Sequence, residues 1–135
     1  MSQIIEVLEV THFHDDKRRT ERLHEPSWEA VERELRSMHN SDKPLIDLMQ
    51  DEDEPGASMM MICGGNNVFH IQVADDKLRW CQAYDPDGPD DVIEVWLSDQ
   101  GFEAPRNWTW PIDDALELAL YYFTHGKPHP GYNWD

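Results

Sequence analysis

Three groups of residues have types and spacings that could do chemistry. His12-x-His14, followed by Asp15 and Asp16, offers imidazole and carboxylate ligands at the two-residue spacing of a strand. No second cluster is spaced to complete a metal shell around them, so a polar loop is the simpler reading. Glu94 alternates with Ile93 and Val95, which makes it the best candidate for an inward carboxylate whose pKa burial would raise for general acid work. The runs Asp51-Glu52-Asp53-Glu54 and Asp85-Pro86-Asp87-Gly88-Pro89-Asp90-Asp91 are rich in oxygen ligands. Neither has the alternating ligand positions, central glycine and terminal glutamate of a calcium loop, which leaves solvated turns or a charged surface facing a partner.

The remaining catalytic signatures are missing. There is no GxSxG, P-loop, dinucleotide-binding glycine pattern or HExxH, and neither the His-x-Glu nor the Pro-Cys-x-x-Cys of a zinc deaminase. Cys63 and Cys81 lack CxxC spacing and read as small core hydrophobes. The expectation is a chain that is not an enzyme and needs no cofactor or metal.

Charge narrows the partners. The 135 residues carry 28 Asp and Glu against 11 Lys and Arg, a formal charge of -17. Such a surface is repelled by nucleic acid and by anionic lipid, and it attracts a basic protein. The excess is uneven, with 10 acids and 7 bases in residues 1–43 but 18 acids and 4 bases in 44–135. No basic leader precedes an apolar run at the N-terminus, and no stretch approaches about 18 apolar residues, so a cytoplasmic location is expected. Six tryptophans are many for a chain this size. Trp28, Trp80 and Trp96 take core positions by periodicity. Trp108 and Trp110 lie outside the predicted strands and helices, and aromatics of this kind either close the sheet ends or anchor a partner.

The elements that must position these residues form one domain over 1–135. The apolar and β-branched run Gln3–Val10 predicts a strand, and the polar segment Thr11–Pro26 a loop. Ser27 caps a helix to about Met38, with Trp28, Val31, Leu35 and Met38 on one stripe. A short strand is expected over Leu45–Met49. A meander follows over Ser58–Cys63, Val68–Ala74 and Leu78–Tyr84, with turns at Gly64-Gly65-Asn66-Asn67 and Asp75-Asp76. Tight turns set Met60 opposite Ile71, Ile71 opposite Trp80, Ile62 opposite Phe69 and Val73 opposite Leu78, all on one face. The other face collects Met59, Met61, Cys63, Val68, His70, Cys81 and Ala83 and invites a covering helix. There the two cysteines stand two strands apart, about 9–10 Å, too far for a disulfide. Val92–Leu97 predicts a further strand and Gly101–Trp110 an irregular stretch. Asp113 caps a second helix to about Phe123, with Ile112, Leu116, Ala119, Leu120 and Phe123 inward and Gly126 as its stop. The class is α+β: an antiparallel sheet of about five or six strands, with helices near 27–38 and 112–124 packed against it.

The order of these parts resembles a known family. The turn Cys63-Gly64-Gly65-Asn66-Asn67, the stretch Val95-Trp96-Leu97-Ser98-Asp99-Gln100-Gly101-Phe102, the helix closed by Phe123-Thr124-His125-Gly126-Lys127-Pro128, and Trp134 are together similar to the Imm1 family of immunity proteins. The likeness covers residues 45–135 by motif and the rest by strand-then-helix order. It implies a bacterial, cytoplasmic antidote to a polymorphic toxin, typically one with a nucleic-acid deaminase domain, and it implies that Trp134 docks the tail on the fold. The expected function is one-to-one binding of a cognate basic toxin domain across its substrate groove. Asp51, Glu52, Asp53, Glu54, Asp85, Asp87, Asp90, Asp91, Trp108 and Trp110 are the candidate contacts. The alternatives are an antidote to a nuclease toxin and an acidic DNA mimic that regulates a basic host protein.

Overall fold

The computed structural model describes residues 3–15, 17–39, 42–51, 53–54, 56–77, 79–96 and 101–135. The chain forms strands β1 (Val7–His14) and β2 (Lys17–His24), then helix α1 (Trp28–Arg36), then β3 (Leu45–Met49). Strands β4 (Met59–Gly65), β5 (Val68–Ala74) and β6 (Trp80–Tyr84) follow, and then the hairpin β7 (Val92–Trp96) and β8 (Gly101–Pro105). A 3-10 turn at Arg106–Trp108, β9 (Thr109–Trp110), helix α2 (Ile112–His125) and β10 (Asn133–Trp134) complete the fold. The main sheet is antiparallel and runs β10-β6-β5-β4-β3-β1-β2, with β9 added beside β5. The α+β class holds. The sheet has eight strands rather than five or six, and β7–β8 forms a separate two-stranded sheet.

Two layers cover the main sheet, each because one face of its strands is apolar. Leu8, Ile46, Leu48, Met60, Ile62 and Ile71 point to one side and are sealed by Val31, Leu35, Leu118 and Tyr122 of the helices. Each such aliphatic side chain contributes about 1.5–3 kcal/mol when fully buried. Ser27 caps α1 by accepting from the Ala30 N–H at 3.1 Å, and Trp28 meets Phe123 of α2 with ring centroids 5.8 Å apart. On the other side Leu45, Cys63, Val95 and Ala104 form a smaller cluster. The cover there is therefore the β7–β8 hairpin and not the expected helix.

Several expectations need correction. Thr11–Pro26 is not a loop, because Lys17–His24 pairs along the whole of β1. All eight residues of β2 are exposed, and a strand wet on both faces carries no hydrophobic alternation to read. Gly101–Trp110 is likewise ordered into β8, the 3-10 turn and β9. Leu97, the last residue of the predicted Val92–Leu97 strand, lies outside the described residues.

The meander is shifted. Asn66 and Asn67 take φ of 53° and 66°, the two positive values of a two-residue hairpin turn, so Gly64 and Gly65 belong to β4. Met60 consequently pairs with Val73 and Ile62 with Ile71, two residues away from the predicted register but on the predicted face. At the next turn the Asp75 carboxylate accepts from the Lys77 and Arg79 N–H groups at 2.9 and 3.0 Å, closing a longer loop. Val73 then pairs with Cys81 and Ala74 with Trp80. This odd shift turns β6 over, so Trp80 stands on the opposite face from Ile71 and is 42% exposed. Cys81 and Ala83 join the helix-side core while Cys63 lies in the other cluster. Both cysteines are free, separated by the sheet itself.

In α2 the N-cap position is Pro111 and not Asp113, which falls in the first turn. The cap comes from afar, since the Ile112 N–H donates to Asn67 Oδ1 of the hairpin turn at 2.8 Å. The fully buried stripe is Ala115, Leu118, Ala119 and Tyr122, whereas Leu120 is 43% exposed. Tyr122 replaces it because its hydroxyl finds Ser58 Oγ at 2.8 Å and Gln50 Nε2 at 3.2 Å. Gly126 ends the helix in the left-handed region at φ 71°, as expected.

Candidate functional site

The acidic loops follow from topology. Asp51–Glu54 lies between β3 and β4, and Asp85–Asp91 between β6 and β7. Because β4 and β6 both run antiparallel to β5, the start of β4 and the end of β6 lie at opposite ends of the sheet. The seven residues of β4 span roughly 20 Å. The structure therefore does not bring the two loops into one patch.

At one end stand Asp85, Asp87, Asp90 and Asp91 with Trp108 and Trp110. The Asp85 N–H donates to the Asn107 carbonyl at 2.8 Å, and the Asp85 carboxylate accepts from the Asp87 N–H at 3.0 Å. Asp91 is held by Arg106 at 2.9–3.1 Å, and those hydrogen bonds keep its carboxyl below the usual range. Asp87 and Asp90 are exposed. The tryptophans are tied into the fold. Trp108 stacks on His70 at 6.0 Å and packs on the smaller cluster. The Trp110 indole N–H donates to the Ala83 carbonyl at 3.2 Å, and its ring meets Tyr132 at 5.1 Å. Beside it the Trp134 indole donates to the His129 carbonyl at 2.9 Å while β10 pairs with β6, so the tail docks on the sheet. The Tyr132 hydroxyl reaches Asp114 and Glu117 at 2.8 and 2.9 Å; burial, with those carboxylates, pushes its pKa up.

At the other end Asp51 is half-buried while Asp53 and Glu54 are exposed; Glu52 lies outside the described residues. Asp51 Oδ1 accepts from the Asp53 N–H at 3.0 Å. Carboxylate oxygens of Glu6, Asp51 and Asp53 lie within 4.8 Å of one another, close enough to share a hard cation. Beside them two clefts of about 560 and 570 Å³ meet at Gln50, Ser58 and Asp76.

The other sequence candidates are placed apart. His12 Nε2 lies 3.0 Å from Glu21 and His14 Nε2 3.3 Å from Asp15, so each imidazole faces its own carboxylate; Asp16 is outside the described residues. Glu94 is exposed, because Ile93 and Val95 take the inward side of β7.

A buried polar set that the sequence reading missed lies on the hairpin side of the sheet. Glu9 and Asp47 stand directly opposite each other on β1 and β3, 7% and 6% exposed. Glu9 is met by Arg22 Nε at 2.7 Å, whereas Asp47 Oδ1 and Thr11 Oγ1 have no hydrogen-bond partner among the described residues. Burial, and then the Glu9 charge, push the Asp47 carboxyl up to about 7, against a lowering pull from Arg18. Each acid sits inside an apolar strand, Glu9 between Leu8 and Val10 and Asp47 between Ile46 and Leu48, and that pattern was its signal. Cys63 and His70 are cross-strand partners on this same face. Burial, then Asp47, push the Cys63 thiol up to about 12, and its sulfur lies 3.7 Å from the His70 carbonyl oxygen. The thiol stays protonated there, which is the reverse of an activated nucleophile. His70 Nδ1 donates to the Trp108 carbonyl at 3.1 Å, and burial lowers its pKa.

The chain matches no known family model and no curated protein. Its fold is similar to that of a hypothetical protein from Neisseria gonorrhoeae known from a crystal structure. The two share a TM-score of 0.64 and 11% identity, over 96% of this chain and 94% of that one. At that identity the likeness concerns the arrangement of strands and helices.

Proposed function

We propose that this chain is a binding protein and not a catalyst, an antidote that covers the basic substrate surface of a nucleic-acid-acting toxin. A deaminase is the first choice of target and a nuclease the second, following the Imm1-like order of motifs. The observation that carries the reading is how little of the acidic charge is used internally. Among the described acids of residues 44–135, Asp75 and Asp91 are the ones paired with an arginine. Apart from the buried Asp47 and from Asp114 and Glu117, which the Tyr132 hydroxyl engages, the rest of that negative field is available to a cationic surface, where complementary charge raises encounter rate and disfavours wrong partners.

Among the described residues Asp47 is a carboxyl raised to about 7, it is 6% exposed, and five clefts of 380–690 Å³ are lined by other residues. A general acid must reach its substrate within hydrogen-bond distance, so this arrangement favours binding over catalysis. No helix among the described residues is long and apolar enough to cross a membrane, in keeping with a cytoplasmic site of action.

Co-expression with a candidate toxin domain, sought among the genes neighbouring the one for this chain, tests the reading. A one-to-one complex that survives purification, with deaminase activity abolished, is expected. Absence of both a complex and protection of cells would sink it.

A further inference from the structure

We infer that the outer edge of β2 accepts one added strand, an extended segment of a partner whose carboxylates lie beside Lys17, Arg18 and Arg19. This goes beyond the antidote reading and does not depend on it.

Strand β2 is the last strand of the main sheet, and all eight of its residues are exposed. Its register with β1 runs unbroken from His14↔Lys17 to Val7↔His24, with neither a bulge nor a proline to blunt the edge. The backbone shows which groups are open. The Phe13 N–H donates to the Asp42 carbonyl at 2.8 Å, on the side of β1 away from β2, so Phe13 and Arg18 form a non-hydrogen-bonded pair. In such a pair both residues turn their N–H and C=O groups away from each other. Arg18 and, two residues on, Thr20 therefore present theirs at the outer edge, where neither has a backbone partner among the described residues. Those of Lys17 and Arg19 face β1.

Charge decides the occupant. A strand paired at this edge meets the side chains of β2 directly, with Cβ atoms about 4.5–5.5 Å apart, and opposite charges across such a pair are favourable. Strand β2 carries four Lys and Arg against one acid, Glu21, which Arg19 and His12 already meet at 2.9 and 3.0 Å. Lys17 and Arg18 make no ion pair with a described residue. Being adjacent in the strand they point to opposite faces, so an acid on either face of the incoming segment meets a base.

The acidic runs lie elsewhere. Lys17 and Arg18 pair with the His14 end of β1, while Asp51 follows Met49, which pairs with Val7 at the other end, roughly 20 Å away. The Asp85–Asp91 loop follows β6, five strand spacings or about 24 Å from β2. Charges more than about 8 Å apart are largely screened at physiological salt. A second copy of this chain fits less well, because it brings the same bases and a further charge of -17.

The test is an NMR titration of the labelled protein at physiological salt with three peptides. They are acetyl-Glu-Thr-Glu-Thr-Glu-Thr-amide, its lysine counterpart, and the glutamate peptide N-methylated at two consecutive central residues, which blocks both of its edges. The glutamate peptide at saturation is expected to slow amide exchange at Arg18 and Thr20 at least tenfold and to leave Lys17 and Arg19 within twofold. Contact through side-chain charge alone does not produce that alternation. Thr20→Pro removes an outward N–H and none from the β1 ladder. That variant, and separately Lys17→Glu combined with Arg18→Glu, should each weaken binding at least tenfold, with slow exchange kept at Val10, whose N–H faces β2. Equal binding by the methylated or the lysine peptide, or protection without alternation, overturns the inference. A protein that is a dimer with Arg18 and Thr20 protected before any peptide is added also overturns it, since a second copy then holds the edge.

Discussion

Asp47 is a carboxyl in surroundings that disfavour its charge, 6% exposed beside Glu9. In an unfolded chain its carboxyl ionises near 3.9, and in the fold burial beside Glu9 pushes it up to about 7. Folding therefore takes up a proton between those values. The stability linked to this group is complete below about pH 4 and is lost as pH rises through about 7, because the folded state must then hold a buried charge. Asp47→Asn should stabilise the protein by on the order of 2 kcal/mol at pH 8, and by much less at pH 4, in denaturant melts at the two pH values. An equal change at both would contradict the raised pKa. An acid between Ile46 and Leu48 was visible in the sequence, but its burial was not, since that depends on which face of β3 the β7–β8 hairpin covers. Trp80 shows the converse. Its type and spacing suited the core, and the Asp75 hydrogen bonds turned it outward.

At the scale of elements, turns decided what alternation left open. Helix α1 was legible because its cap at Ser27 and its stripe of Val31, Leu35 and Met38 act within one segment. The faces of β4 and β5 were legible for the same reason, and their register was not. Gly64 marks the difference. Its φ is 113°, and a Cβ added there would lie 2.1 Å from the Val68 carbonyl oxygen. Gly64→Ala should therefore destabilise the fold by about 3 kcal/mol or more in thermal or denaturant unfolding. Asn66→Gly, at the positive φ of the neighbouring turn, should change stability by less than about 1 kcal/mol. Comparable losses from the two would mean that the turn is not built on Asn66-Asn67. Strand β2 lies beyond such reasoning altogether. Its residues carry no apolar alternation, and it exists because β1 offers it an edge.

Over the whole molecule the charges are segregated. Arg19, Arg22, Arg36 and Lys43 meet Glu21, Glu9, Glu32 and Glu34 within the first 43 residues. The acids at both ends of the sheet mostly face water. If the proposed toxin is bound through them, the association rate should fall several-fold between about 50 and 500 mM salt, as exposed charges are screened. Reversing Asp51, Asp53 and Glu54, or Asp87 and Asp90, should slow association more than it speeds dissociation in surface-binding kinetics. Rates that ignore salt would remove the electrostatic part of the proposal. The sequence by itself determined the α+β class, both helices, the central strands and the net charge of -17, because composition and short-range periodicity carry those properties. Tertiary structure alone decided that the acidic runs lie at opposite ends of the sheet, that Trp108 and Trp110 serve the fold while Trp80 faces out, and that Glu9 and Asp47 meet. Each of these depends on how strands distant in sequence are paired, and a one-residue change in a turn reverses the face of every side chain beyond it.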